Sequence, residues 1–133
     1  MRRVVVMALA GTLGLVVGGL GPVVLAACFL HYGYTWTQCV RSGIYHHLTI
    51  MASLGCLNGL FGAWDGSRSG RHRLWPVAWA PALVFVGWQF TGMGSISMLG
   101  ICAAFVWLSG RLAQEVGVLG RRHAEPGVGA DSR

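Results

Sequence analysis

The sequence predicts an all-α, polytopic membrane protein with four transmembrane helices arranged as two hairpins. Hydrophobic residues make up 54% of the 133 residues and charged residues only 11%, whereas a soluble domain carries about 25% charged residues. The apolar residues fall in long blocks, which is typical of membrane spans. Arginines cluster in the polar loop at 65–73 and at both ends of the chain. The positive-inside bias assigns these clusters to the cytoplasm, so both termini are expected inside.

The transmembrane domain is predicted at 1–112 and a cytoplasmic tail at 113–133. The four spans are expected at 4–30, 44–64, 74–90 and 95–112. The region 74–112 is too long for one span and barely long enough for two. A single tilted helix there would place Arg111 outside, against the charge bias, so two spans are favoured. The tail begins in a helical pattern, and its end buries too little apolar surface to fold, which predicts partial disorder.

The first apolar run has alternative interpretations. Its basic start resembles a signal peptide, and the sequence Leu-Ala-Ala-Cys at 25–28 resembles a lipoprotein cleavage box. The run is too long for a signal-peptide core and further apolar segments follow, which favours a first span. Gly14 and Gly18 form a G-x-x-x-G face, and Gly55 and Gly59 repeat this spacing. The first two spans are therefore expected to pack tightly on each other, with a short exterior loop of aromatic residues between them.

The spans carry few groups that could perform catalysis. Before Arg111 no span contains Asp, Glu, Lys or Arg, which argues against proton-coupled transport. The chain lacks a carboxylate pair, a Ser/His/Asp arrangement, a phosphate-binding loop and an H-E-x-x-H motif, so no enzyme is expected. No cofactor is expected either: His46 and His47 are adjacent, with no intramembrane histidine opposite, which disfavours haem. The net charge of +6 is interpreted as a topology signal rather than nucleic-acid binding.

Two faces with soft ligands are the remaining candidates for chemistry, because thiol and thioether side chains recur there at helical spacing. The face on the second span comprises His46, Thr49, Ser53 and Cys56. The face on the fourth span comprises Ser95, Met98, Cys102 and Ser109. If the two faces meet, the interior of the bundle holds two thiols and a thioether.

Thiolate and thioether donors select soft metals such as Cu(I), and Hg(II) moves between thiols by exchange. The candidate metal ligands are therefore Cys28, Cys39, Cys56, Cys102, Met98 and His46. Cys28 and Cys39 are expected at the exterior end, where a disulfide between them is an open alternative. The competing interpretation is packing, since buried cysteine behaves as a small hydrophobe and apolar surroundings leave little thiolate.

Two segments resemble MerC-type mercuric ion transport proteins. Ala26-Ala27-Cys28-Phe29 resembles the segment around the paired cysteines of that family, and Ala-Pro-Ala-Leu-Val-Phe at 80–85 resembles the start of its third helix. The size, the four-helix pattern and the basic inner loop are also similar. The resemblance implies mercuric ion transport. The family carries C-x-x-C in its first helix, whereas this chain has Leu25 in place of the first cysteine, so Cys39 would have to supply the second thiol.

Two functions are therefore expected. In the first, a multi-pass protein of the inner membrane takes up a soft ion, Hg(II) or Cu(I), at Cys28 and Cys39. The ion then passes by Cys102, Met98 and Cys56 to a cytoplasmic acceptor. In the second, the chain is a non-catalytic accessory subunit of a larger membrane complex or a homo-oligomer, because its small-residue faces offer docking surface. A holin-like or lipid-organising protein is a third class. The expected partners are the lipid bilayer, a soft metal ion and other membrane subunits, without nucleic acid.

Overall fold

A computed structural model describes residues 2–69 and 96–123, and these two ranges contain helices and turns but no strand. The helices are α1 (Arg2–His31), α2 (Trp36–Arg41), α3 (Ile44–Ser69) and α4 (Ile96–Arg122). The predicted all-α class is confirmed for this part of the chain. The predicted span at 74–90, the turn that follows it and the end of the tail beyond residue 123 lie outside the described residues.

One helix in the described ranges is long and apolar enough to cross a bilayer, and it is the segment Arg3–His31 of α1. The helices α3 and α4 contain 26 and 27 residues. At about 1.5 Å per residue they are as long as a bilayer is thick. They carry more polar side chains than α1, and these side chains lie largely between the helices or at their ends.

The helices α1 and α3 run antiparallel and touch through glycines. A Cβ atom built at Gly18 would lie 2.7 Å from the Cα of Gly55, and one at Gly59 would lie 3.1 Å from the Cα of Gly14. Real Cβ atoms do not approach backbone as closely as 2.7 Å, so glycine is required for this crossing. The predicted tight packing of the two small-residue faces is confirmed. We call this contact the glycine seam.

The helix α4 packs against both partners. It runs parallel to α3, because Gly62 contacts the backbone of Gly110 and Gly66 contacts that of Gln114. It runs antiparallel to α1: a Cβ at Gly21 of α1 would lie 3.4 Å from the Cα of Cys102. Near the other end of the pair, a Cβ at Gly120 would lie 2.9 Å from the side chain of Val6. The start of α1 and the ends of α3 and α4 therefore lie at one end of the bundle.

The two ends of the bundle differ in chemistry. The first, which we call the basic end, carries Arg3, Arg68, Arg121 and Arg122. The second, the aromatic end, carries exposed rings from the turn after α1, from α2 and from the start of α3, and Trp36 and Tyr45 stack edge to face at 6.4 Å. Most arginines of the described residues therefore lie at the basic end, whereas Arg41 lies at the aromatic end.

The short helix α2 lies where the sequence predicted a loop, and a local hydrogen-bond pattern explains it. The Thr35 hydroxyl accepts from the backbone N–H of Gln38 at 3.4 Å, and the Gln38 side chain accepts from the N–H of Thr35 at 2.7 Å. This reciprocal pair is a capping box, which starts a helix. The turns on either side contain Gly33 and Gly43, with φ of +90° and +80°, a conformation that glycine adopts without strain.

Both α3 and α4 extend beyond the predicted span ends at 64 and 112, and contacts between them supply the reason. The Gln114 amide donates to the Asp65 carboxylate at 3.1 Å and accepts from Arg111 at 2.9 Å. Arg121 lies about two turns after Gln114 on α4 and Arg68 about one turn after Asp65 on α3. The Arg121 guanidinium donates to the carbonyl of Arg68 at 3.0 Å. These bonds pair the Asp65 carboxylate and the Arg68 carbonyl with α4. Residues 65–69 of the predicted loop are therefore helical, and the rest of that loop, from residue 70, lies outside the described residues.

Small side chains line the contacts between the long helices, and large apolar side chains lie on the outside of the bundle. Small side chains fill the contact between all three long helices, with Ala10, Ala63 and Ala113 in one buried cluster. The buried polar side chains of the described residues are Asn58, Ser109 and Gln114. Large apolar side chains cover the outside: Val4, Val5, Leu9, Leu15, Val16, Leu20, Val23, Leu57, Phe61, Trp64 and Leu119 are all exposed.

Candidate sulfur-ligand site

The structure places three sulfur-containing side chains in one apolar cluster between α3 and α4. Met51 and Cys102 are both fully buried in it, together with Leu25 and Val106. Met98, one helical turn before Cys102, packs against the same cluster. We call Met51, Met98 and Cys102 the sulfur cluster. It lies in the half of the bundle near the aromatic end, because Cys102 follows the start of α4 by about 9 Å.

The residue that sequence reasoning missed is Met51. The face of α3 that meets α4 consists of Met51, Gly55, Asn58 and Gly62. These positions recur three and four residues apart, which is the spacing of a helix contact face. This spacing is present in the sequence. The polar face that contains Cys56 also has helical spacing, so the sequence offers two candidate faces of α3 for the contact with α4.

Two polar side chains fix how α3 and α4 face each other. The Asn58 amide donates to the carbonyl of Val106 at 2.6 Å. The Ser109 hydroxyl donates to the carbonyl of Val106 at 2.6 Å and to that of Gly55 at 3.2 Å. Since Val106 belongs to the same apolar cluster as Met51 and Cys102, these bonds hold the sulfur-bearing faces together.

The predicted face on α3 does not meet α4. His46, Thr49 and Ser53 are exposed, and the two hydroxyls donate to carbonyls one turn earlier on their own helix, at 2.9 and 2.8 Å. The glycine seam and the hydrogen bond from Asn58 direct other faces of α3 toward α1 and α4, so this face points away from α4. On the predicted α4 face, Cys102 and Ser109 are buried as expected, whereas Ser95 lies outside the described residues.

Cys56 lies apart from the sulfur cluster, in a groove between α1 and α3. A Cβ atom at Gly11 would lie 3.6 Å from the Cys56 sulfur, and one at Gly21 would lie 3.6 Å from the Cys102 sulfur. Because Gly11 and Gly21 are ten residues apart on α1, the two thiols are separated by about 15 Å along the bundle. Cys56 is therefore not positioned to share a ligand with Cys102.

The other predicted ligands lie near the aromatic end. Cys28 is exposed on α1, one turn beyond Leu25 of the cluster, and Cys39 is buried in α2. Both thiols are free, so the alternative disulfide is not formed. His46 is exposed, with its ring 6.5 Å from that of His47.

Within residues 2–69 and 96–123, no three His, Cys, Asp or Glu side chains are grouped closely enough to hold a metal ion together. The donor set that the helices do bring together is one thiol and two thioethers. Sulfur donors of this kind favour soft ions over Mg²⁺ or Ca²⁺. The sulfur cluster is therefore the candidate site of this chain.

No family model matches the chain, and no curated protein or solved structure is significantly similar to it.

Proposed function

We propose that the chain is a multi-pass protein of the cytoplasmic membrane that binds a soft metal ion, Hg(II) or Cu(I), at the sulfur cluster. Cys28 is the thiol through which the ion arrives from the exterior. The observation that supports this most directly is that Met51 and Cys102 are buried in one apolar cluster, with the partly buried Met98 packed against it. Cys28 lies one turn along α1 from Leu25 of that cluster. The resemblance to MerC-type proteins points to the same class of ion.

The distribution of side chains supports a membrane location. A bundle in lipid needs apolar side chains outside and gains from small residues and hydrogen bonds between its helices. Here the large exposed side chains are apolar, whereas Asn58, Ser109 and Gln114 are buried. The basic and aromatic ends fit the two interfaces of a bilayer, with the arginines facing the cytoplasm.

The order of the helices supports four crossings. The end of α3 lies at the basic end, whereas α4 begins at the aromatic end, because the two helices are parallel. Residues 70–95 therefore link opposite ends of the bundle. The crossing that the sequence predicts at 74–90, which lies outside the described residues, agrees with this change of end and with both termini in the cytoplasm.

We expect thiol labelling to place the two ends on opposite sides of the membrane. In intact cells, a membrane-impermeant maleimide is expected to label Tyr34→Cys at the aromatic end. Ser67→Cys at the basic end is expected to react only after the cells are permeabilised. Both parent side chains are exposed, and peptide mass spectrometry distinguishes the new cysteines from the native four. Labelling of Ser67→Cys in intact cells would disprove the topology.

The metal proposal predicts that Cys102→Ser abolishes tight binding. Purified wild-type protein in detergent is expected to retain one equivalent of Hg(II) or Cu(I) against a competing thiol, because a thiolate is the strongest donor of the cluster. Loss of this donor is expected to lower the affinity at least about tenfold. Met51→Leu, which conserves volume, is expected to weaken the binding of Cu(I) with little change in folding.

The matched control is Cys56→Ser, since Cys56 lies in the groove and not in the sulfur cluster. It is expected to retain the metal as the wild type does, both in the purified protein and in the accumulation of mercury by expressing cells. If Cys102→Ser also binds and accumulates the ion at the wild-type level, the sulfur cluster is only a packing feature and the proposal is wrong.

The accessory-subunit alternative was suggested by the small-residue faces of the first two helices. In the described part of the chain, Gly14, Gly18, Gly55 and Gly59 pack against each other. The contact that motivates this alternative is therefore made within the chain.

A further inference from the structure

A groove runs between α1 and α3 at the half of the bundle nearer the basic end. Its volume is about 650 Å³, within the range of roughly 300–1,000 Å³ that is typical of small-molecule sites. Apolar side chains such as Met7 and Leu60 form most of its walls, and Arg3 lies at the end of the groove that opens toward the basic end. An apolar trough with one cation at its mouth matches an amphiphile with a negative headgroup.

Small side chains create the groove. Ala8, Gly11 and Thr12 line it on α1, and Gly11 lets Leu60 lie close to the α1 backbone, since a Cβ atom at Gly11 would lie only 3.2 Å from the Cδ2 atom of Leu60. The Thr12 hydroxyl in the wall donates to the carbonyl of Ala8 on its own helix at 2.9 Å. Its hydrogen is therefore already bonded, so this hydroxyl does not require a polar partner from a hydrocarbon chain in the groove.

The charge at the mouth is positive. Arg3 is exposed there, and the arginines of α3 and α4 lie at the same end of the bundle. The Asp65 carboxylate at this end accepts from the Gln114 amide, within the contact between α3 and α4. Arg68 lies over the ring of Trp64 at 5.3 Å, which is an arrangement found at membrane interfaces.

We propose that this groove binds an acyl chain of an anionic phospholipid from the cytoplasmic leaflet, with the lipid phosphate on Arg3. This inference rests on the membrane location proposed above, because the basic end then lies at the anionic surface of the inner leaflet. The acyl chain lies in the groove, and the Arg3 guanidinium favours a lipid with an anionic headgroup. One arginine near such a surface corresponds to about a fivefold preference for an anionic lipid.

The test uses the full chain reconstituted in phosphatidylcholine bilayers. Spin-labelled phosphatidylglycerol and phosphatidylcholine with the same acyl chains are the probes, and electron paramagnetic resonance measures the immobilised fraction of each. The wild type is expected to prefer phosphatidylglycerol at least about fivefold, and Arg3→Gln is expected to lose about fivefold of this preference. Arg41→Gln, at the aromatic end, is the matched control and is expected to retain it.

A second pair of variants tests the groove itself. Leu60→Trp fills the groove and is expected to reduce immobilisation of both lipids, whereas Leu57→Trp, exposed on α3 outside the groove lining, is expected to leave it unchanged. In the wild type, phosphatidylglycerol is also expected to slow alkylation of Cys56 at least twofold relative to phosphatidylcholine. This measurement needs no substitution and therefore does not depend on the folding of a variant.

The outcomes separate this inference from the proposed function. If the chain inserts into the vesicles and shows neither a lipid preference nor protection of Cys56, the lipid site is wrong and the membrane location stands. Equal preference in Arg3→Gln and wild type also overturns it. If the chain fails to float with the vesicles, the membrane location itself is wrong and the lipid site falls with it.

Discussion

Replacing Gly55 by alanine is expected to lower the free energy of unfolding by at least about 2–3 kcal/mol, the upper part of the range for overpacked cores. The added methyl group would meet the carbonyl oxygen of Gly14 and would lie 2.7 Å from the Cα of Gly18. Both contacts are with backbone, which no side-chain rotation relieves. The helices α1 and α3 must therefore move apart, and their separation weakens the rest of the glycine seam.

The matched control is Gly100→Ala on α4, where a Cβ atom would have no neighbour within 4 Å among the described residues. Alanine is favoured over glycine inside a helix by about 0.5–1 kcal/mol, so this variant is expected to be slightly more stable than the wild type. Titration with SDS in mixed micelles, followed by circular dichroism, measures both changes. Equal stability of the two alanine variants would show that the glycine seam is not the closest contact of the bundle.

The helices and the glycine seam could be predicted because both are recorded in local spacing. Apolar blocks of sufficient length give the helices, and small residues four positions apart, such as Gly14 and Gly18, give a face flat enough for close approach. The capping box between Thr35 and Gln38 is equally local. The aromatic and polar residues around it nevertheless favour a loop over a helix in the sequence.

The ends of α3 and α4 could not be predicted from local pattern. Polar residues after position 64 are typical of a loop, and only the bond from Gln114 to Asp65, 49 positions apart, shows why the helix continues. The donor and the acceptor become neighbours only once α3 and α4 are parallel and in register. Neither property follows from the spacing within either segment.

Of the candidate site, the residues on α4 could be predicted from local spacing, whereas Met51 on α3 could not. Met98 and Cys102 share a face on one helix, and this face is buried as the spacing indicates. The rotation of α3 about its own axis depends on how it packs against α1 and α4. In the structure this rotation buries the face that contains Met51 against α4. Cys56 lies about 140° around the helix from Met51, counted at 100° per residue, so one rotation cannot bury both residues against α4.

The polar contact that sets this rotation leads to the second large expected effect. Asn58 is 1% exposed, and its amide donates to the carbonyl of Val106 at 2.6 Å. Asn58→Asp has nearly the same shape, but it replaces the donor by a charged oxygen that faces a carbonyl oxygen. An unpaired buried charge costs about 3–5 kcal/mol. We therefore expect this variant to be largely unfolded at neutral pH, as judged by the same SDS titration.

Two further substitutions separate charge from packing in this result. Asn58→Ala removes the bond without adding charge and is expected to cost about 1–2 kcal/mol, in line with interhelical hydrogen bonds in membranes. Ser53→Ala removes an exposed hydroxyl that bonds only to Thr49 of its own helix, and it is expected to change stability by less than about 0.5 kcal/mol. If Asn58 determines which face of α3 meets α4, the loss of stability is expected to be largest in Asn58→Asp, smaller in Asn58→Ala and smallest in Ser53→Ala. If Asn58→Asp were as stable as the wild type, α3 would have to present a different face to α4, and Met51 would leave the sulfur cluster.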